Sequence, residues 1–284
     1  MKVLVLGASG MLGNAVFRVL SEKADWQVYG TVRAGNSKRF FQSAIAERLL
    51  VGVDVEQYDS LIQTFMGACP DVVINCIGLI KQLAESDDPL QAVPINTLLP
   101  HRLAKLCKLS GSRLVHMSTD CVFSGDKGGY CESDVSDADD LYGRSKYLGE
   151  VDYPHAITLR TSIIGHELQS PHGLVNWFLS QKDSCKGYSK AIFSGVPTVV
   201  LAQIIRDIVI PRPDLHGVYH VAAPPVSKYD LLKLIAKVYG KTIEISADDR
   251  LVIDRSLNAK RFSEVTGYIT PDWEEMIKIM YSYR

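Results

Sequence analysis

A doubly wound α/β fold, with a smaller C-terminal α/β lobe, is what this 284-residue sequence predicts. Three observations carry the prediction. Short β-rich runs alternate with helical stretches through the first half, as expected of parallel strands joined by crossover helices. VVINCI (72–77) is apolar throughout, as a strand is when both faces of its sheet are covered. Gly7, Gly10 and Gly13 fall between the first strand and the first helix, where the chain must turn tightly.

The elements follow in order. KVLVLG (2–7) reads as a strand and MLGNAVFRVLSEK (11–23) as a helix. QVYGTV (27–32) and RLLVGVD (48–54) are the next strands, followed by a helix near EQYDSLIQTFMG (56–67). After the apolar strand at 72–77, TLLPHRLAKLCKLSG (97–111) is helical and stops on glycine, and RLVHMS (113–118) returns as a strand. AITLRTSIIG (156–165) is expected to complete the sheet. Beyond it lie helices at GLVNWFLSQ (173–181), VLAQIIRDIV (200–209) and KYDLLKLIAKVYG (228–240), with strands at GVYHVAA (217–223) and TIEIS (242–246). This mixed order predicts a lobe over the C-terminal edge of the main sheet.

Charge excludes several classes. The 31 basic and 32 acidic residues leave a net charge of −1 with no long run of either sign, so no nucleic-acid or membrane footprint is expected. No apolar run approaches the roughly 20 residues of a spanning helix. The N-terminal run breaks into Gly-Ala-Ser-Gly, a strand and turn rather than a signal peptide. Cys69, Cys76, Cys107, Cys121, Cys131 and Cys185 lack metal-ligand spacing, so we expect reduced thiols, no metal site and a cytoplasmic protein.

In Gly7-Ala8-Ser9-Gly10-Met11-Leu12-Gly13 the glycines let the backbone approach a pyrophosphate at a helix N-terminus. A Rossmann-like dinucleotide-binding domain over residues 1–160 follows, with a partly interleaved substrate-binding lobe over 161–284. The second strand ends in Arg33, with Lys38 and Arg39 close behind, where NAD sites usually carry a carboxylate. A guanidinium grips a 2′-phosphate, so NADPH is expected over NADH.

Tyr142 and Lys146 are one helical turn apart, on one face. A neighbouring ammonium is expected to lower the phenol's pKa and fit it for proton exchange with a hydroxyl or carbonyl oxygen. Ser118 and Thr119 end a strand of the same sheet, at the edge where such sheets hold ligands, and a hydroxyl there is placed to orient that oxygen.

GASGMLG, NCIG (75–78), Asn96, STDCVFSG, YGRSKYLGE, LRTSIIG (159–165) and SGVPT (194–198) carry a resemblance over nearly the whole chain. The sequence is similar to the extended short-chain dehydrogenases/reductases, and within them to the dTDP-4-dehydrorhamnose reductase family of 4-keto-deoxysugar-nucleotide reductases. That resemblance implies a catalytic Thr119, Tyr142 and Lys146, with Lys146 also touching the nicotinamide ribose. It implies a pyrophosphate site at Gly7, Gly10, Met11, Leu12 and Gly13. Asp54 and Val55 would flank the adenine, and Asn75, Cys76 and Ile77 would lie beneath the cofactor. Asn176 and Trp177 fall where the family places its nucleotide pocket, and Arg255 where it tends to supply a basic residue to the diphosphate. The substrate implied is a nucleotide-diphosphate 4-keto-6-deoxyhexose, reduced for deoxysugar, surface-polysaccharide or O-antigen precursors; a homodimer is left open.

Cys121 stands where the family motif commonly has tyrosine, which implies a different sugar, for instance an N-acetylated 2-amino sugar. Dehydratases of this fold carry a carboxylate at that position, and a neutral thiol is a poor acid for eliminating water. An epimerase, and an NADP(H)-holding regulatory subunit without turnover, are the remaining alternatives. His116 is expected in the core, His101 on a helix surface, and the acidic run from Asp134 to Asp140 on a solvated loop.

Overall fold

The computed structural model describes residues 1–81, 84–168 and 173–284. Its strands are β1 (Lys2–Leu6), β2 (Gln27–Val32), β3 (Leu49–Val51), β4 (Val72–Asn75), β5 (Arg113–Thr119), β6 (Ala156–Thr161), β7 (Ile163–Ile164), β8 (Ser184–Tyr188), β9 (Ala191–Phe193), β10 (Val196–Pro197), β11 (Gly217–His220), β12 (Val226–Ser227), β13 (Glu244–Asp248) and β14 (Ile253–Asp254). Its helices are α1 (Met11–Ser21), α2 (Ser43–Ala46), α3 (Tyr58–Ala68), α4 (Pro89–Ala92), α5 (Leu99–Ser110), α6 (Leu141–Leu148), α7 (Leu174–Ser180), α8 (Thr198–Ile204), α9 (Lys228–Tyr239), α10 (Lys260–Thr266) and α11 (Trp273–Ser282).

The main sheet runs β3-β2-β1-β4-β5-β6-β11 with every pair parallel, the Rossmann order extended by one strand. Side-chain alternation along β1 explains the layers. Val3 and Val5 enter the core shared with α1, α8 and α11, while Leu4 and Leu6 enter the core beneath α3 and α5. All four are fully buried, as an interior parallel strand requires.

The single strand expected over 156–165 is two. β6 stays in the main sheet, but β7 leaves it to pair with β10. Val196 N–H donates to the Ser162 carbonyl at 2.9 Å, and a Cβ on Gly195 would stand 2.1 Å from that same oxygen. Only glycine lets the two chains approach so closely. The edge beside β6 goes instead to β11, with Ile157 against Gly217. The helix expected over 97–111 begins earlier, as a wider turn over Val93–Leu98 that continues into α5. Pro94 has no N–H to return to the preceding turn, which prevents regular α bonding there. Among the described residues, β8 and β13 pair only with each other, in parallel.

Candidate active site

Strand β1 delivers the glycine loop to the C-terminal edge of the sheet. Gly7 sits at φ +80°, and its N–H donates to Thr31 Oγ1 at 3.1 Å. A Cβ on Gly13 would lie 2.0 Å from the Gly7 carbonyl oxygen, so the helix closes on the loop only without one. Gly10 caps α1 with no side-chain hydrogen bond, which leaves the first-turn N–H groups of Met11, Leu12 and Gly13 for an outside acceptor. This backbone fits a pyrophosphate.

At the end of β4, Asn75 is fully buried. Its Oδ1 accepts from Ile77 N–H at 3.1 Å and its Nδ2 meets His116 Nδ1 at 3.1 Å. The amide thereby aims Cys76 and Ile77 at the glycine loop, where Ile77 Cγ1 lies 2.8 Å from the place of a Cβ on Gly7. His116 is fully buried, as the sequence suggested. Asp54 accepts from Glu56 N–H, and Val55 packs against the core beneath α3 and α5. Arg33, Lys38 and Arg39 are all exposed beyond β2.

β5 and α6 position the remaining candidate residues. Asp140 caps α6 through Gly143 N–H at 2.7 Å. A Cβ on Gly143 would stand 2.2 Å from the Cys121 carbonyl oxygen, so the glycine after Tyr142 lets α6 lie against the end of β5. Thr119, Asp120, Cys121 and Tyr142 converge there. Thr119 Oγ1 donates to Asp120 Oδ1 at 3.1 Å and accepts from Cys121 N–H at 3.1 Å, and its side chain stands beside the Tyr142 phenol.

The phenol departs from the expected electrostatics. Burial raises its pKa above the ordinary tyrosine value; Cys121 and Asp120 add to the rise, and Thr119 opposes it. Lys146 is not among the groups that set it, and its ammonium donates to the Met117 carbonyl at 2.7 Å. Burial lowers the Lys146 pKa to about 8, with Glu150 pulling the other way. Tyr142 is thus held protonated: a proton donor rather than a ready phenolate.

Beneath lies a layer that residue spacing did not reveal. Glu150 Oε2 accepts from Arg160 Nη2 at 2.6 Å, its Oε1 from Arg160 Nε at 2.7 Å, and the pair is 6% and 4% exposed. Ser118 donates to Glu150 Oε1 at 2.7 Å, so its hydroxyl serves this ion pair, on the strand face opposite Thr119. Asn96 Oδ1 accepts from Leu79 N–H at 3.0 Å and its Nδ2 donates to Ser145 Oγ at 3.2 Å, tying α6 to the loop after β4. Glu150 and Arg160 both lay inside quoted motifs, but they sit on different elements and no spacing rule joins them.

Arg255 reaches the same end. Its Nε donates to the Phe123 carbonyl at 2.7 Å and its Nη1 lies 3.8 Å from Cys121 Sγ. Burial pushes the Cys121 thiol up to about 12, with Asp120 adding to it, so the sulfur stays neutral. Burial also raises Asp120, opposed by Thr119 and Arg255. On α7, Asn176 bonds the Glu167 backbone through Nδ2 at 3.3 Å, and Trp177 is 37% exposed. The acidic loop is less solvated than expected: Asp134 pairs with Lys127, Asp137 accepts from Ser124, and Asp140 is the α6 cap. His101 likewise contacts Tyr153 and the Leu148 carbonyl across α5.

The chain is 26% identical to methionine adenosyltransferase 2 subunit beta of Xenopus laevis over 84% of its own length and 72% of that protein. It is 25% identical to dTDP-4-dehydrorhamnose reductase of Aggregatibacter actinomycetemcomitans over 99% of both. The fold matches a dTDP-4-dehydrorhamnose reductase from Bacillus anthracis in complex with NADP, with TM-score 0.81 and 21% identity over 100% and 99% of the two chains. Residues 1–282 match the family described as RmlD substrate binding domain, and the chain belongs to that family.

Proposed function

We propose that the protein reduces the 4-keto group of a nucleotide-diphosphate 4-keto-6-deoxyhexose with NADPH. The observation that carries the reading is the convergence of Thr119 and Tyr142, with the Lys146 ammonium on the Met117 carbonyl, at the sheet edge where the glycine loop also opens. NADPH, when bound, supplies the hydride. The open first-turn N–H groups of α1 would hold its pyrophosphate and Arg33 its 2′-phosphate. Thr119 orients the substrate's C4 oxygen, and Tyr142, protonated at rest, gives that oxygen its proton. Lys146, fixed on the Met117 carbonyl, keeps a positive charge one turn behind the phenol as negative charge develops.

Cys121 and Arg255 flank the sugar, where a neutral thiol and a cation replace a bulkier ring. This supports a hexose other than 4-keto-rhamnose, with Arg255 reaching a phosphate or a polar ring substituent. The test is NADPH oxidation against a panel of dTDP-, UDP- and GDP-4-keto-6-deoxyhexoses. Turnover of at least one, abolished in Tyr142→Phe, is the expected result.

A second reading comes from the relatives named as a methionine adenosyltransferase subunit. It predicts cofactor binding without turnover, together with capture of a methionine adenosyltransferase catalytic chain. The intact set of reactive residues favours the reductase.

A further inference from the structure

A cavity with a mixed lining, more apolar than polar, lies on the outer side of α1. It holds about 60 Å³ and is lined by Asn14 and Arg18 of α1, His166, Thr198 of α8, and Tyr283 and Arg284 beyond α11. No acidic side chain is among its lining residues. Asn14 is 5% exposed, and its Nδ2 has no hydrogen-bond partner. A buried amide donor is costly to leave unpaired, so the site is built to receive an acceptor.

The charges around it agree. Arg18 lies over the Tyr283 ring at 4.5 Å and, among the described residues, donates only to the Tyr283 carbonyl, at 3.3 Å. Arg284 stacks on Tyr281 at 4.2 Å and is exposed at the mouth. Glu22, one turn beyond Arg18, is taken up by Arg206 and by the Tyr283 hydroxyl. Neither Arg18 nor Arg284 has a carboxylate partner among the described residues. His166 bonds Tyr239 Oη at 2.8 Å on the far wall. The volume matches about four water-sized oxygens.

We propose that this cavity is a binding site for a phosphoryl oxyanion, received by Asn14 Nδ2 and the guanidiniums of Arg18 and Arg284. It adjoins the glycine loop, since Met11 lines its wall, but its polar groups come from Asn14, Arg18 and the C-terminal residues. Free phosphate and the head of a phosphomonoester present the same chemistry, and the open mouth at Arg284 admits either.

The experiment is isothermal titration of the full chain, at constant ionic strength, with inorganic phosphate and separately with glucose 1-phosphate. Saturable 1:1 binding is expected. Asn14→Asp should weaken it about 10- to 150-fold, the worth of one charge-assisted contact, and Arg284→Gln about tenfold. Arg33→Ala and Arg255→Ala should leave it unchanged, which separates this site from the nucleotide crevice. In NMR, phosphate should raise the pH midpoint of the His166 imidazole in the parent and not in Arg284→Gln. Binding of phosphate alone assigns the free ion; equal binding of glucose 1-phosphate assigns the ester head. Arg284 is exposed, so its replacement leaves folding intact. The proposal is overturned if neither ligand saturates, or if Arg284→Gln and Asn14→Asp bind as the parent does.

Discussion

Replacing Glu150 by glutamine removes one charge and almost no volume. In the structure that charge faces both the Nε and the Nη2 of Arg160, with the pair 4% and 6% exposed. Removing one partner of a buried ion pair strands the other, at a cost of about 3–5 kcal/mol. For a chain of this size that lowers Tm by about 6–20 °C. A second effect is chemical. Glu150 raises the pKa of Lys146 against burial, so the variant's ammonium should deprotonate below about 8. The high-pH limb of kcat should move down with it. Calorimetry and a pH–rate profile read the two effects separately. Replacing both partners, as Glu150→Gln with Arg160→Met, should recover most of the stability, because no stranded charge remains. A Tm drop under about 2 °C, or a double variant as unstable as the single one, would refute the reasoning.

Tyr142→Phe keeps the ring and removes the proton donor, so kcat should fall about 10²- to 10⁴-fold with Tm nearly unchanged; turnover near the parent's would rule out the phenol as the acid. Arg33→Ala should weaken NADPH, and not NADH, about 10- to 150-fold in a binding titration, and equal affinities in the parent would remove the basis for it. Gly13→Ala places a methyl 2.0 Å from the Gly7 carbonyl oxygen, so dinucleotide binding should be lost in the same titration even where the chain still folds.

The main sheet was legible because its strands announce themselves by composition and its crossovers by glycine and helical period. The glycine loop, Thr119, Tyr142 and Lys146 could be named as candidates from the sequence, since each is short-range within its own element. Two kinds of feature escaped. The division of 156–165 depends on where Gly195 and Ser162 meet, a contact across more than thirty residues that no local propensity encodes. The Tyr142 phenol was read from its neighbour four residues on, whereas the folded chain decides its charge by burial and sends the Lys146 ammonium to Met117. Glu150 with Arg160, and Asn75 with His116, join separate elements and exist only once the sheet has formed.

The first core has a consequence for synthesis. α1 is among the earliest segments made, yet its outer face is closed by α8, and Arg18 stacks on Tyr283 at the far end of the chain. β11 must likewise arrive before β6 gains its last neighbour. A ribosome-bound chain therefore carries a bare apolar helix face for most of its elongation. Contacts of such long sequence separation form slowly and leave the surface open to aggregation. Truncation near residue 160 would leave that face bare for good, and expression as a shortened piece should yield insoluble material where the whole chain is soluble.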